Sequence, residues 1–551
     1  MQALGRSGHN LGAFTSSSSI LYATSTKTNA HTHRYRTDVL RLLRNYMNLA
    51  QNSMTFRAPT TAAAAKATAT APREREHTKT FTVQTTRRVI HGFAGRSYSR
   101  YSASTIMTSY CKELSLKDYD IIGFDLDGTL LRYNLTNMSA LIYDVLKRYL
   151  VDNKGYSEQL LKLPMDLDFL QKGLFLDGPR GNILKLSSEA QILRATHGTR
   201  LLTDEEIVAI YGPERQWAIT TSFYKDPLST WNGAASEQMR SLLDYFDTPS
   251  ALVFAQAVDL VDKESESPPQ EYEVWRDLQA GLMHIFSRDH FSNDISLYFK
   301  GMRADPQKYV LCTDSSVMDW LSALRKSGKK LFLLTGSNID FANLTATQAL
   351  GKDWQEYFDF VVTYAKKPGF FTIQRPFLQV DVRELKELAN TELPQDAGIL
   401  KPGELYSQGN WHQLHKALAR LLNKEPAQAR ALYFGDNIIQ DVYTPVRHRD
   451  FDAVAIAEEL LMEEKNYPYF AELDSQLWGS YFAIGCQPTL WSNFISSFAQ
   501  ICVPSMQEVA QTAPAQRIVC TNPYGFSPRL PKELEMTHPT SCWEGGTGSG
   551  I

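Results

Sequence analysis

The chain has 551 residues, length for roughly two to four domains. A formal net charge of −3 excludes a basic nucleic-acid footprint over the whole chain, so no nucleic-acid partner is expected. Six cysteines (Cys111, Cys312, Cys486, Cys502, Cys520, Cys542) lack CxxC spacing, which excludes a zinc ribbon or dense disulfide framework, and no apolar run reaches the ~18 residues of a membrane span.

The near-neutral total hides two kinds of sequence. Residues 1–110 hold 15 Lys/Arg against 3 Asp/Glu, and the acidic excess lies in the remainder. Residues 1–106 are rich in Ser, Thr, Ala and Arg, with a low-complexity patch at Thr60-Thr61-Ala62-Ala63-Ala64-Ala65. They read as a disordered basic extension. A short basic amphipathic pattern at 37–44 and the Arg-rich, acid-poor composition carry the signature of an organelle transit peptide. Arg96-Ser97-Tyr98-Ser99 resembles an arginine-directed presequence cleavage site. Met107 would serve equally as an ordinary start, leaving the upstream residues a tail or an over-extended reading frame. The first reading sends the protein to mitochondria and the second to the cytoplasm.

Globular sequence begins near residue 115. Ile121-Ile122-Gly123-Phe124-Asp125-Leu126-Asp127-Gly128-Thr129-Leu130 is an apolar run that ends in two carboxylates one residue apart. The run reads as a buried parallel strand. Alternation then points Asp125 and Asp127 the same way, into the crevice where open α/β sheets place their sites. Two such carboxylates repel unless one is protonated or a cation lies between them. A hard cation such as Mg²⁺ wants carboxylate oxygens, so the pattern implies Mg²⁺ chemistry on a phosphoryl group.

The next strand pattern is about 200 residues away, too long for an ordinary crossover, so an inserted domain is expected over 136–315. It carries a helical pattern at 139–146, a hairpin of 182–186 with 191–195, and an acidic proline-bearing loop at 263–269. Lys185 and Arg194 on that hairpin face either a phosphate or solvent. His197 reads as a structural hairpin-end histidine in preference to a ligand-facing one. Trp217, Tyr224 and Phe254 are expected to pack in a core in preference to stacking a base.

Further strand patterns at 330–334, 358–362, 431–434 and 452–456 alternate with helical patterns such as 317–324 and 412–422. The expected fold is α/β: a doubly wound parallel Rossmann-like sheet with a large, mostly helical cap inserted after the first strand. The core is expected over 107–135 and 316–510, and an extended tail over 511–551, glycine-rich at 544–550. Three more strands end in polar residues: Leu334-Thr335-Gly336-Ser337, Lys366-Lys367-Pro368 after Val362, and Gly435-Asp436-Asn437 followed by Asp441. Singly, Thr335 reads as a helix cap, Lys367 as a surface charge and Gly435-Asp436 as a strand-to-turn step. Their joint occurrence, in this order after Asp125 and Asp127, is the specific signal.

In that layout the chain resembles the haloacid dehalogenase superfamily of phosphohydrolases. The motifs Lys172-Gly173-Leu174, Gly181-Asn182-Ile183-Leu184-Lys185-Leu186, Arg194-Ala195-Thr196-His197-Gly198-Thr199, Lys367-Pro368-Gly369-Phe370-Phe371 and Tyr406-Ser407-Gln408-Gly409-Asn410 narrow the resemblance to the cytosolic purine 5′-nucleotidase family over about 107–510. The resemblance implies a phosphoric monoester hydrolase acting on nucleoside 5′-monophosphates. Asp125 would be the nucleophile and Asp127 the acid/base. Thr335 and Lys367 would bind the phosphoryl group. Asp125, the backbone carbonyl of Asp127, and Asp436 would hold Mg²⁺, with Asp441 supporting them from behind. Lys366 is the alternative to Lys367, which is preferred because the family's lysine directly precedes proline. Gly128 departs from the bulky aromatic of the established purine nucleotidases, which opens the same chemistry on another small phosphorylated metabolite. A non-catalytic regulatory protein would not require all five core residues.

Overall fold

Strand β1 (Ile121–Phe124) is apolar and buried at every position, as a strand covered on both sheet faces must be. In the computed structural model it stands in the middle of a nine-stranded sheet with β2 (Lys330–Leu334), β3 (Phe360–Thr363), β4 (Phe377–Asp381), β5 (Lys386–Glu392), β6 (Leu405–Gln408), β7 (Ala431–Gly435), β8 (Asp452–Ile456) and β9 (Ile501–Val503), in the order β5-β4-β6-β3-β2-β1-β7-β8-β9. The structure describes residues 112–393, 400–449, 451–463, 475–485, 487–512 and 517–520. The expected extension 1–106, the tail 544–550, and Cys111, Cys486 and Cys542 lie outside the described residues.

From β6 through β9 the pairings are parallel, and β4 and β5 add an antiparallel edge. The five strands expected from sequence are the adjacent run β3-β2-β1-β7-β8. Strands β4, β5, β6 and β9 are additions. β4 is only half-buried along its length, and β6 and β9 have four and three residues, so neither gives a long apolar run. Glycine lets β1 fit its neighbour: a Cβ on Gly123 would sit 2.1 Å from the Phe332 ring. The expected helices are present as Ser315–Lys326, capped by Asp314, and Trp411–Leu421, capped by Asn410.

The cap enters and leaves through a two-stranded hinge, Arg132–Tyr133 paired antiparallel with Val310–Leu311. Its expected helix is longer than read, Leu135–Lys154, starting at the Asn134 cap and ending at left-handed Gly155. It packs with helices Pro249–Glu264 and Val274–Ile285. The expected hairpin is there, Asn182–Leu186 with Ile192–His197, inside a five-stranded antiparallel cap sheet. Within the stretch expected as tail, Arg517–Val519 pairs with Glu113–Ser115. Among the described residues no helix is long and apolar enough to cross a membrane.

Candidate active site

The carboxyl ends of β1, β2, β3 and β7 converge and deliver the expected residues, Asp125 and Asp127 after β1, Thr335 after β2, Lys367 after β3, and Asp436 and Asp441 after β7. After β1 the chain turns tightly, with Thr129 N and Leu131 N both bonded to Leu126 O at 3.3 and 3.0 Å, so Asp125 and Asp127 stay at the sheet edge. Gly128 makes the turn with φ +75°, and a Cβ there would lie 2.7 Å from the Asp436 carboxyl carbon. Glycine at 128 thus serves both the backbone and the approach of Asp436.

β7 ends at Gly435, Asp436 and Asn437. Asn437 caps the π-helical segment Ile438–Tyr443 that follows, accepting from Gln440 N at 3.0 Å. This wide turn folds Asp441 back against β7, so close that a Cβ on Gly435 would lie 2.3 Å from Asp441 Cβ. Carboxylate oxygens of Asp125, Asp436 and Asp441 lie within 4.8 Å of one another, all buried.

Lys367 answers two of these acids. Its Nζ is 2.9 Å from Asp125 Oδ1 and 2.7 Å from Asp441 Oδ1. Burial alone would lower its pKa, but the two carboxylates outweigh burial and raise it above its ordinary value. Asp441 uses its other oxygen to accept from Asn437 N at 3.2 Å, so both its oxygens are engaged. Burial and the neighbouring acids push its carboxyl up to about 7 despite Lys367. Asp436 is raised well above the ordinary range by burial, against the pull of Lys172, with repulsion from Asp125 and Asp441. Its Oδ1 is buried and has no hydrogen-bond partner among the described residues. An unanswered oxygen beside a second carboxylate, in an all-oxygen donor set, fits a hard divalent cation.

Asp127 has a different environment. Tyr133 and Ser337 donate hydroxyl hydrogen bonds to it at 2.6 and 2.7 Å, and Thr335 at 3.3 Å. Burial raises its pKa, these bonds oppose the rise, and Asp125 adds to it. A carboxyl held toward its protonated form suits an acid that gives up a proton. Thr335 is fixed by accepting from Ser337 N at 3.0 Å.

The structure thus brings Asp125, Asp127, Thr335, Lys367, Asp436 and Asp441 together. Lys366 is not among them: its Nζ lies over the Tyr364 ring at 4.8 Å. The cap candidates also stay out. Lys185 Nζ donates to Trp478 O at 2.9 Å and Arg194 to Leu477 O, so both tie the hairpin to a core loop instead of facing a phosphate or open solvent. His197 bridges Asn182 at 2.8 Å and Asp262 at 3.0 Å, the structural role read from sequence. Phe254 and Trp217 are buried, and Tyr224 packs on the same cluster as Trp217.

Sequence reasoning passed over Tyr133, Ser337, Tyr245 and the Glu458–Glu459 pair. Glu459 takes Lys172 at 3.0 Å and Tyr245 at 2.8 Å, both from the cap, and Arg132 pairs with Glu458. Asp244, pushed up to about 8 by burial and Asp247, faces the same cavity. That cavity, enclosed by Asp127, Gly128 and Asp436 below and Lys172 and Tyr245 above, holds only about 20 Å³. Two signals were available. Glu458–Glu459 follows β8 as the other polar pairs follow their strands, and Ser337 repeats the two-residue spacing of Asp125 and Asp127.

A family model described as the 5′ nucleotidase family matches residues 109–475. The chain belongs to the 5′-nucleotidase family. It is 34% identical over 434 residues to 5′-nucleotidase domain-containing protein 1 of Homo sapiens, covering 73% of this chain and 91% of that protein. The Bos taurus protein of the same name is 33% identical over 431 residues, with the same coverage of each. Human 5′-nucleotidase domain-containing protein 2 is 27% identical over 357 residues, 64% of this chain and 62% of that one. As a member of the 5′-nucleotidase family, the chain is a phosphoric monoester hydrolase.

Proposed function

We propose that this enzyme hydrolyses nucleoside 5′-monophosphates through an aspartyl-phosphate on Asp125, with Mg²⁺ as its cofactor. The observation that carries the reading is the opposite treatment of two neighbouring carboxylates. Asp125 is paired with the Lys367 cation, whereas Asp127 is held toward its protonated form by burial.

An Asp125 oxygen attacks phosphorus, the new P–O bond forms, and the bond to the ribose oxygen breaks. Asp127 gives its proton to the departing oxygen. In the second half Asp127 takes a proton from water, the water oxygen attacks phosphorus, and the bond to Asp125 breaks to release phosphate. Lys367 and the Thr335 hydroxyl hold phosphoryl oxygens as charge redistributes. Asp125, Asp436 and the Asp127 carbonyl would hold Mg²⁺, which would supply the charge neutralisation that lets a phosphate dianion approach a carboxylate. Asp441 positions Lys367 and the cation's ligands.

Gly128 favours a second reading, the same chemistry on another small phosphate ester. A panel of nucleoside monophosphates and sugar phosphates with Mg²⁺, run beside Asp125→Asn, separates the two. Release confined to nucleotides and lost in the variant supports the first. Release from sugar phosphates alone transfers the reading to the second. No release from any ester by folded, Mg²⁺-binding protein would overturn both.

A further inference from the structure

Buried cations in this fold are answered by oxygen. Lys147 donates to Leu163 O at 2.8 Å, Lys185 to Trp478 O at 2.9 Å and Lys329 to Tyr119 O at 2.5 Å. Lys172 meets Glu459 and Lys367 lies between two aspartates. Lys366 and Arg375 break the pattern. Both are half-buried, yet among the described residues neither side chain forms an ion pair or hydrogen bond, and Arg375 Nη1 is fully covered without a partner.

Their positions are set by the backbone. Lys366 has φ +54°, and its carbonyl accepts from Phe370 N at 3.3 Å. Arg375 is anchored where helix Trp411–Leu421 begins, its carbonyl accepting from Asn410 Nδ2 at 2.8 Å. The guanidinium lies on the turn that follows Lys367: a Cβ on Gly369 would be 2.5 Å from Nη1 and 2.7 Å from Nη2. Burial and the nearby Arg375 charge together pull the Lys366 ammonium down to about 8. Lys366 has only the face of the Tyr364 ring at 4.8 Å, and Arg375 Nη1 has no partner among the described residues, so two like charges lie partly out of water with no counter-anion among those residues, and a dianion with several oxygens would satisfy both. A guanidinium offers a planar fork to such an oxyanion and an ammonium a point charge.

We propose that Lys366 and Arg375 form a second anion site, separate from the catalytic carboxylates, that takes a phosphate-type oxyanion. Two sources share that chemistry: free inorganic phosphate and the phosphoryl group of an organic ester.

Calorimetric titration of the full chain in EDTA tests it. Without divalent cation the clustered aspartates repel anions and no turnover occurs, so the outcome does not depend on the hydrolase reading. Inorganic phosphate and adenosine 5′-monophosphate are titrated in parallel. Saturable binding is expected, weakened about tenfold or more in Arg375→Gln and in Lys366→Gln and retained in Arg375→Lys. Tighter binding of the ester assigns the site to an ester, and equal binding assigns it to the free ion. No saturable binding to folded wild-type protein, or binding undiminished in both glutamine variants, overturns the proposal. If Arg375→Gln does not fold, Lys366→Gln decides alone.

Discussion

In the core, the charged groups of the site gather where buried strands end, and most are answered from another strand. Lys367 after β3 meets Asp125 after β1, and Asp127 collects hydroxyls from the end of β2 and from the hinge. The cap groups that face the core are fixed from outside the cap. Lys172 and Tyr245 converge on Glu459, a core residue, and Lys185 on the carbonyls of a core loop. The core site is built at the end of one sheet and the hinge beside it, whereas the cap's contribution rests on its contacts with the core. The space between them holds about 20 Å³, room for about one water, and is lined by Lys172 and Tyr245 of the cap and by Asp436 and Glu458 of the core.

The sharpest way to break this comparison is Lys367→Met. Removing the cation leaves Asp125 and Asp441 buried against each other, at a cost of about 3–5 kcal/mol, with activity falling on the order of 10³-fold. Urea unfolding in EDTA and phosphate release with Mg²⁺ measure the two effects. Wild-type stability in this variant would contradict the reading of Lys367 as the core's charge partner.

Metal removal sharpens it next. Asp441, at about 7, and Asp436, also raised, bind protons more tightly in the metal-free fold than in the unfolded chain. That stabilisation is complete below the ordinary carboxylate value of 3.8 and is lost as pH rises through about 7. Mg²⁺ competes with those protons, so it should restore more stability at pH 8 than at pH 5.5. Melting curves with Mg²⁺ and with EDTA should diverge by several degrees as pH rises. A gap that stays constant across this range would count against Asp436 as a ligand of the cation and Asp441 as its support.

Gly128→Ala probes the strand-end turn. A left-handed alanine costs about 1–2 kcal/mol and its methyl pushes on the Asp436 carboxylate. Weaker Mg²⁺ binding should accompany the lost stability, and unchanged affinity would mean Asp436 does not ligate. The smallest effect belongs to the cap. Tyr245→Phe removes one bond to Glu459, about 1 kcal/mol, and loosens closure. KM is expected to rise with little change in melting temperature. A variant as destabilised as Lys367→Met would show that the cap contact is part of the core after all.

Asp125, Asp127, Thr335, Lys367, Asp436 and Asp441 were legible in the sequence because each follows an apolar run, and a buried parallel strand leaves its first polar residues at one edge. The central strands were legible for the same reason. Strands β4 and β5 were not, since β4 is half open to solvent and neither Phe377–Asp381 nor Lys386–Glu392 is a continuous apolar run. Tyr133, Tyr245 and Lys172 carry no local pattern that ties them to the Glu458–Glu459 pair. They meet across 326 residues at Arg132–Glu458 and 214 at Tyr245–Glu459, distances over which only the docking of cap on core selects partners.

The sequence by itself determined the sheet's central strands, the place of the cap between the first two of them, and the set of residues at the strand ends, because hydrophobic periodicity and strand termini are local properties of the chain. Only the tertiary structure showed what holds Lys367 in the site, why residue 128 is glycine, and which cap residues lie over it. Each of those depends on what stands within a few ångströms in space: Asp125 and Asp441 for Lys367, the Asp436 carboxylate for Gly128, and Glu459 for the cap.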